Sequence, residues 1–509
     1  MSQNPIVQTR IEDDIAWVTI NNPPVNATSA KVRQGLVTAL EDIKSARVAI
    51  LMCDGRTFIA GGDMTEFDAP PVLPHLPDVV QMIEDSTVPF VAAMHGTVLG
   101  GGFEVAMACA WRIAAAGTRF GLPEVNVGII PGAGGTQRLP RLIGMDQAID
   151  IACGGKIINA QDLLALGGLD LIATGDLKQA AHAFVMNLPA RPIAVSKRDF
   201  TALTAAEMTA KKVALIKRAK GQKAPLENLA ALAWANLPFP KGQPLERARH
   251  MELRNSAESR ALRYAFFAER KVARPKAISG AVARDIDHIA VVGGGLMGAG
   301  IATAALNAGL KVTMIERDKA AAGAGHARVV SLLDGALQRE KITAEQHKQR
   351  IAAFAAGDSY AMAAQAQLAV EAVFEDVDVK RSVFTELATV MDRDAILATN
   401  TSYLDPDLIF EGIENPSRCL GLHFFSPAHI MKLLEIVQTP QTGADVLATG
   451  FALGKKMRKT SVLSGVCDGF IGNRMLAAYR RAADYILADG AFPYQVDAAM
   501  RSFGMPMGP

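Results

Sequence analysis

The 509-residue sequence has few cysteines and almost no net charge. Its five cysteines are widely scattered, and none are paired as CxxC: Cys53, Cys109, Cys153, Cys419 and Cys467. This spacing excludes a disulfide framework and a zinc-finger site, so we predict a reduced protein with no metal centre. The 53 Lys and Arg balance 51 Asp and Glu. The net charge of +2 therefore creates no general attraction for nucleic acid or an anionic membrane.

An apolar signal segment is also lacking, because the N-terminus reads MSQNPIVQTRIEDD. One uncharged run, residues 289–310, is long enough to span a bilayer, but six of its 22 residues are glycine. Glycine is costly inside a helix, so the run is predicted as a strand, a turn and a helix. We therefore expect no signal peptide, no membrane insertion and a cytoplasmic location.

The length predicts roughly three domains, at about 100–200 residues each. Residues 1–185 alternate strand-like runs such as VAILMC with glycine-rich turns and helical stretches, which predicts an α/β domain. Residues 186–285 are rich in Ala, Leu, Lys and Arg and are predicted as a helical linker. A second α/β domain is predicted over 286–465, and residues 466–509 turn helical again.

Two acidic residues stand in apolar, glycine-rich surroundings. Glu104 follows a triple-glycine turn in GTVLGGGFEVAMACA, and Glu124 follows a proline in GLPEVNVGIIPGAGGTQRL. Two facing carboxylates can hold a water and move its protons as general base and acid. Taken singly, Glu104 could equally be an exposed first-turn acid, and Glu124 an ordinary loop acid.

These two segments and FIAGGDMTEF resemble the signatures of the crotonase (enoyl-CoA hydratase/isomerase) family over residues 10–180. The resemblance implies a spiral α/β domain in which the N–H groups of Gly62 and Gly101 form an oxyanion hole for a thioester. It also implies that Glu104 activates a water, and that Glu124 delivers a proton to the α-carbon. Gly132 would help to hold the water. The activity implied is hydration of a 2-enoyl-CoA, with double-bond isomerisation as a side activity.

A glycine-rich turn opens the second α/β domain. Residues 289–298, IAVVGGGLMG, place GxGxxG between a strand and an Ala-rich helix, and the next strand, KVTMI, is followed by Glu316. This context favours a dinucleotide site; the alternative is a turn without a ligand. Glu316 would bond the ribose hydroxyls and repel a 2′-phosphate, which predicts NAD. The predicted cofactor-binding loop comprises Gly293, Gly295, Leu296, Met297 and Gly298.

A histidine lies in an apolar strand-like segment, CLGLHFFSPAHIMKLLEIV. His423 could be a satisfied core histidine, but Glu435, 12 residues later, could orient its ring and stabilise the imidazolium. His429 is a competing candidate, which we expect to be an exposed loop residue.

The second half resembles the L-3-hydroxyacyl-CoA dehydrogenase family over residues 286–480, through VVGGGLMGAGIA, VEAVFEDVDVK, ILATNTS and GFIGNRML. This implies a Rossmann-type domain in which His423 takes the 3-hydroxyl proton as hydride leaves to NAD⁺. The resemblance also implies that Glu435 is the partner of this histidine and that Ser402 and Asn473 contact the substrate. Glu375 and Lys380 would line the cofactor site. The alternative for Ser402 is ordinary turn chemistry.

The order of the two halves resembles the multifunctional fatty-acid β-oxidation enzymes, both bacterial and peroxisomal. The implied substrates are acyl-CoA thioesters, a separate thiolase is the expected partner, and a peroxisomal location is the alternative. That family continues past GMPMGP into a larger helical region. We therefore expect the all-α C-terminal domain to be incomplete and the chain to be C-terminally truncated.

Two other functions stay open at this point. The hydratase/isomerase half alone could be active. Alternatively, the chain could be a non-catalytic CoA- or RNA-binding scaffold that uses the basic segment 197–223, with its eight Lys and Arg and two acids. The simpler explanation of that segment is a solvated helix face.

Overall fold

The structure is a computed structural model that describes residues 5–509. The first four residues of the polar N-terminal segment lie outside the described residues. The chain divides into two compact units, one ending at Phe266 and one running Phe267–Pro509. The predicted boundaries at 185, 285 and 465 stay predictions. The helices of residues 205–254, predicted as a linker, belong to the first unit.

The first unit is built on mainly parallel strands with helices on both sides. Its strands are β1 (Val7–Glu12), β2 (Ile15–Ile20), β3 (Val48–Cys53), β4 (Phe90–Met94), β5 (Thr97–Leu99), β6 (Trp111–Ala115), β7 (Arg119–Gly121), β8 (Ile158–Asn159) and β9 (Leu171–Ala173). The main sheet has the order β1-β2-β3-β4-β6-β9, and a smaller one has the order β5-β7-β8. In β3, Val48 and Ile50 face one core while Ala49 and Leu51 face the other. A strand covered on both faces reads as an unbroken apolar run, as VAILMC does.

The helices of the first unit are α1 (Ala30–Asp42), α2 (Leu76–Asp85), α3 (Gly101–Ala108), α4 (Gly135–Ile143), α5 (Met145–Gly154), α6 (Ala160–Ala165), α7 (Leu177–Met186), α8 (Ala205–Ala219), α9 (Ala224–Ala233), α10 (Phe239–Arg254) and α11 (Ala257–Val272), which crosses the division between the units. Helices α9 and α10 pack against α4. The segment predicted as a linker therefore covers the helix that follows the second glycine-rich turn.

The second unit contains an eight-stranded sheet. Its strands are β10 (His288–Val292), β11 (Lys311–Ile315), β12 (Phe354–Gly357), β13 (Leu368–Glu371), β14 (Ile396–Thr399), β15 (Cys419–Phe424), β16 (Leu433–Gln438) and β17 (Thr460–Gly465). The order is β12-β11-β10-β13-β14-β15-β16-β17, and only β15 and β16 pair antiparallel. The first six strands have the 3-2-1-4-5-6 order of a dinucleotide-binding sheet.

The helices of the second unit are α12 (Leu296–Asn307), α13 (Lys319–Gln338), α14 (Ala344–Ala352), α15 (Val377–Val390), α16 (Pro406–Ile409), α17 (Ala444–Lys456), α18 (Gly472–Ala488) and α19 (Pro493–Phe503). The uncharged run 289–310 is divided between β10, a turn and α12. No helix within residues 5–509 has the length and hydropathy needed to cross a membrane. The predicted α/β fold class, with a Rossmann-type second domain, is confirmed.

Candidate active sites

Two parallel strands bring the two predicted carboxylates of the first unit to one edge. Strands β5 and β7 pair in the register Leu99 to Gly121, and each is followed at once by a turn. Glu104 lies in the first turn of α3, and Glu124 lies in the 3₁₀ turn after β7. A Cβ on Gly100 would stand 2.6 Å from Glu124 Oε1, so the close approach of the two turns requires glycine.

The Glu104 carboxylate is held by backbone amides. Its side chain is buried, and Oε1 accepts hydrogen bonds from the N–H groups of Ala133 at 2.7 Å and Gly135 at 2.9 Å. Burial raises the pKa of Glu104, although these bonds and the charges of Arg138 and Arg247 oppose the shift. Because Glu104 is 3% exposed, it is not the exposed first-turn acid of the alternative.

The Glu124 carboxyl lacks such support. Its Oε2 atom is buried and has no hydrogen-bond partner among the described residues. Burial raises the pKa of Glu124 well above its ordinary value, and the charge of Glu104 adds to the shift. The negative charge of the pair is therefore favoured on Glu104 and the proton on Glu124.

One further glycine turn, at Gly62, runs beside the Gly101 turn next to the carboxylates. Ala60 bridges to Leu99, which aligns the turn at Gly62 with the turn at Gly101. A Cβ on Gly101 would lie 3.7 Å from the Gly62 nitrogen. Within the described part of the chain, neither of these two N–H groups donates to an acceptor. Two unpaired donors at this spacing suit an oxygen that gains negative charge.

The helix α10 closes the site behind Gly132. A Cβ on Gly132 would stand 2.6 Å from Cγ of His250, so no larger residue fits there. The His250 Nδ1 atom lies 2.7 Å from the carbonyl oxygen of Ile130, to which it donates. Burial lowers the pKa of His250 to about 4, so this imidazole is neutral at physiological pH.

Sequence reasoning missed a third carboxylate, Glu246. It is fully buried on α10 and accepts hydrogen bonds from the N–H groups of Gly134 at 2.6 Å and Thr136 at 2.8 Å, and from the Thr136 hydroxyl. The available signal was the spacing of Glu246, His250 and Arg254 at every fourth position, which puts all three on one helix face.

The glycine loop of the second unit has the shape that a dinucleotide needs. A Cβ on Gly298 would overlap the carbonyl oxygen of Gly293, which has a φ of +100° and lies against the backbone of Ala372. A Cβ on Gly295, in contrast, would meet no atom within 4 Å. The tight turn thus leaves open space at the N-terminus of α12, where a pyrophosphate binds in such folds.

The remaining predicted cofactor residues frame this loop. Glu316 Oε1 accepts the Gly294 N–H at 2.6 Å, which places the carboxylate beside the glycine turn. Leu296 begins α12 and is 80% exposed, so it lies at the surface of the loop. Met297 is half-buried against the core.

The exposed Glu375 and the buried Lys380 form a network with the buried Glu371, a residue that sequence reasoning missed. The Lys380 Nζ atom lies 2.7 Å from Glu371 and 3.2 Å from Glu375. Glu375 accepts the Thr401 hydroxyl at 2.6 Å and the Ser402 N–H at 2.7 Å. Burial raises the pKa of Glu375, but these bonds and the Lys380 charge outweigh it, so the pKa is lowered. The network fixes the turn that carries the half-buried Ser402.

His423 and Glu435 are directly opposite each other in the antiparallel pair β15 and β16. The His423 Nδ1 atom lies 2.7 Å from Glu435 Oε2, and the two residues are 3% and 0% exposed. The rings of Phe425 and Phe470 lie 4.5 Å and 5.5 Å from the imidazole. The pairing predicted from the spacing is therefore present in the structure, in a dry environment.

Glu435 also positions Asn473. Its second oxygen, Oε1, accepts the N–H groups of Ile471 at 3.1 Å and Gly472 at 2.7 Å, where α18 begins. Asn473, half-buried, is the next residue of that helix. One carboxylate thus orients the histidine and holds the helix that carries the predicted substrate contact.

A third missed residue, Asn400, connects the Ser402 turn to the histidine strand. Its Oδ1 atom accepts the Phe424 N–H at 2.8 Å. The expectation that His429 is exposed is wrong: it is half-buried, and its Nδ1 atom has no partner within residues 5–509. The reason is that Lys459 donates to the carbonyl oxygens of Ala428 and Met431 and holds the turn against the unit.

Comparisons with known families and proteins agree with this arrangement. The family described as enoyl-CoA hydratase/isomerase matches residues 10–227. The NAD-binding domain of 3-hydroxyacyl-CoA dehydrogenase matches residues 288–467, and the C-terminal domain of that enzyme matches 469–509.

Three relatives are similar over 98% of this chain. A peroxisomal bifunctional enzyme of Danio rerio is 37% identical over 514 residues, and the chain covers 70% of it. The chain belongs to this family of bifunctional enzymes. The human peroxisomal bifunctional enzyme is 35% identical, with 71% covered. A peroxisomal fatty acid β-oxidation multifunctional protein of Arabidopsis thaliana is 35% identical, with 72% covered.

The family assignment confirms several predictions. The chain is an enoyl-CoA hydratase and an NAD-dependent 3-hydroxyacyl-CoA dehydrogenase of fatty-acid β-oxidation. Its two catalytic domains imply acyl-CoA thioesters as substrates. The basic segment 197–223 is largely a solvated surface, in which Lys211 pairs with Asp146 at 2.7 Å, and it lends no support to a scaffold.

Proposed function

We propose that the chain hydrates 2-trans-enoyl-CoA at Glu104 and Glu124 and oxidises the resulting L-3-hydroxyacyl-CoA at His423 and Glu435. The observation that carries the proposal is that each unit holds its own buried acid–base pair. One pair has an unpartnered carboxyl oxygen on Glu124, and the other has a carboxylate 2.7 Å from an imidazole. Residue roles within each pair follow from their hydrogen bonds.

In hydration, the thioester oxygen accepts hydrogen bonds from the N–H groups of Gly62 and Gly101 as negative charge builds on it. Glu104, whose charge is supported by two amides, takes a proton from water, and the water oxygen bonds to C3. Glu124, whose proton is favoured by burial, protonates C2. Gly132 helps to position the water. The same carboxyls can move a proton between carbons without water, which gives the isomerase side activity.

In oxidation, His423 takes the proton of the 3-hydroxyl group at Nε2. Glu435 holds the Nδ1–H and stabilises the imidazolium that forms. Ser402 and Asn473 contact the oxygens of the substrate. NAD⁺, when bound, supplies the acceptor for the hydride that leaves C3. The glycine loop 293–298 and Glu316 would hold this cofactor, while Lys380 and Glu375 shape the neighbouring turn.

Partner and location remain part of the proposal. The product is a 3-oxoacyl-CoA, which a separate thiolase would cleave. The sequence predicts a cytoplasmic location, whereas the names of the relatives favour a peroxisome. Fractionation of cells that express the chain, with marker enzymes for both compartments, distinguishes these locations.

The test of the proposal starts from two substrates. Purified protein with 2-trans-enoyl-CoA and no NAD⁺ should lose the absorbance of the conjugated thioester. Addition of NAD⁺, or a separate start from L-3-hydroxyacyl-CoA, should then yield NADH, while the D-isomer serves as the control and yields none. Hydration without NADH from the L-isomer would establish the alternative in which only the hydratase half is active. If the protein consumes neither substrate, both the bifunctional proposal and the alternative with an active hydratase half are wrong.

A further inference from the structure

Glu246 is a buried carboxylate that the proposed chemistry does not use. It lies on α10, 0% exposed, and comes more than 100 residues after the hydratase signature segments. Both of its oxygens bind the turn that leads into α4, through Gly134 and through Thr136, the second residue of that helix. Burial of a carboxylate costs free energy, so this arrangement needs an explanation.

The turn is shared between two carboxylates. Four successive N–H groups point from its backbone, and they alternate between partners. Those of Ala133 and Gly135 donate to Glu104, whereas those of Gly134 and Thr136 donate to Glu246. The position of the Glu104 carboxylate therefore depends on a turn whose other side is held by Glu246.

One oxygen of Glu104 is left free by this arrangement. Its Oε1 atom accepts both amides, and its Oε2 atom accepts no hydrogen bond from the described residues. We propose that Glu246 is a positioning residue for hydration, which holds the 133–136 turn so that Glu104 presents Oε2 to the water. This inference rests on the proposed role of Glu104 as the base.

Charged groups surround Glu246 on several elements. Glu104 faces it from α3, Glu124 from the 3₁₀ turn and Arg247 from its own helix, while Arg138 of α4 acts on Glu104. Burial, and then the charge of Glu104, raise the pKa of Glu246 to about 8. A charged Glu246 in turn raises the pKa of Glu124. Loss of that charge should therefore let Glu124 lose its proton at lower pH.

The test is Glu246→Gln, which keeps the shape of the side chain but replaces one acceptor oxygen by a donor. We expect kcat for hydration to fall by about 10²-fold, because a small displacement of a reacting group has an effect of that size. KM should stay within about twofold, since no substrate contact is assigned to Glu246. The alkaline limb of the kcat/KM profile should move to lower pH, which a purely structural role would not cause.

Two control variants isolate the effect. Glu227→Gln removes a carboxylate of the neighbouring helix α9, one that pairs with Arg249 of α10 at 2.8 Å, and should leave hydration unchanged. Thr136→Val removes the hydroxyl donor to Glu246 and, with it, the acceptor of the Gln137 Nε2–H, but it keeps both amide bonds to Glu246. It should lower kcat less than Glu246→Gln does and leave the alkaline limb in place. NADH production from L-3-hydroxyacyl-CoA measures the amount of active protein independently in every variant.

The outcomes separate this inference from the proposed function. If Glu104→Gln abolishes hydration while Glu246→Gln keeps the wild-type kcat and alkaline limb, the positioning role is wrong and the Glu104 role stands. If Glu104→Gln keeps full hydration, the role of Glu104 itself fails. If Glu246→Gln does not fold, Thr136→Val decides, and an unchanged kcat in that variant overturns the inference.

Discussion

Environment rather than residue type assigns different roles to the glutamates of the two sites. Glu104 accepts two amide hydrogen bonds, so it can carry charge, whereas Glu124 has a buried oxygen without a partner and is favoured as the acid. Glu435 is shared between an imidazole and a helix N-terminus, which makes it an orienting group. The same side chain thus serves as base, acid and support.

The sequence could predict residues of a site only where neighbours in the chain mark them. Glu104 follows a glycine-rich turn, Glu124 follows a proline and precedes a glycine-rich turn, and His423 precedes its partner within one hairpin. Glu246 binds amides that are 110 and 112 residues away, and its spacing to His250 and Arg254 indicates a shared helix face but not these partners. Long-range hydrogen bonds of this kind become visible only in the fold.

At the cofactor loop, two glycine substitutions should differ in their effect. Gly298→Ala would push a Cβ into the Gly293 carbonyl oxygen, so it should lower both the Tm of the second unit and the affinity for NADH. Gly295→Ala meets no protein atom within 4 Å and should lower only the affinity, because its methyl group would occupy the space of the ligand. NADH fluorescence titration and thermal unfolding measure the two quantities.

Gly323→Ala is the matched control, since Gly323 is an exposed residue of α13 with open space around it. It should keep NADH affinity and add about 1 kcal/mol of helix stability. Equal affinities for wild type and Gly295→Ala would show that the loop does not hold the cofactor.

Several elements agree closely with the sequence patterns. The apolar runs VAILMC and HIAVV coincide with β3 and β10, and the stretch KVRQGLVTALEDI, whose pattern predicts a helix over 31–43, forms α1. Helix α1 begins one residue earlier because the Ser29 side chain caps it at the N–H of Val32. Local signals such as apolar runs and caps were sufficient here.

The helices predicted as a linker show the limit of such signals. Helix α10 has a buried face that includes Gly242, Glu246 and His250. The sequence pattern of α10 predicts that one face of the helix is buried. It does not predict which part of the protein packs against that face. The Cβ-free surfaces of Gly132 and Gly242 allow close packing between α10 and the α4 region, which makes the helix part of the hydratase site.

At the turn before α4, three buried carboxyls predict a pH-dependent stability. The pKa values of Glu104, Glu124 and Glu246 are raised, so the folded unit binds more protons than the unfolded chain, whose Glu pKa is about 4.3. The stabilisation is complete below that value and is lost as the pH rises through the folded pKa, which is about 8 for Glu246. The Tm of the first unit should therefore fall between about pH 7 and about pH 8.

Tryptophan fluorescence follows this unit alone, because the three tryptophans, Trp17, Trp111 and Trp234, all precede Phe266. Starting at about pH 7 avoids His250, whose lowered pKa gives the opposite slope below about pH 6.5. Glu246→Gln should flatten the slope, and Glu227→Gln should not. A Tm that rises over this interval in the wild type would contradict the burial of protonated carboxyls.

At the scale of the whole molecule, the two units carry consecutive steps. Each has its own hydrophobic core and its own acid–base pair, and the product of the first is the substrate of the second. Because the two units are covalently connected, an intermediate released by the first unit meets a higher local concentration of the second active site. A substitution that disables the active site of one unit should therefore stop one reaction and leave the other intact.

The most direct test of this account measures both activities in Glu104→Gln and His423→Gln. Glu104→Gln should lower hydration by about 10²–10⁴-fold, the usual contribution of a general base, and keep wild-type NADH production from L-3-hydroxyacyl-CoA. His423→Gln should do the reverse. If both substitutions impaired the same activity, or if neither impaired any, the assignment of two separate active sites to this chain would be wrong.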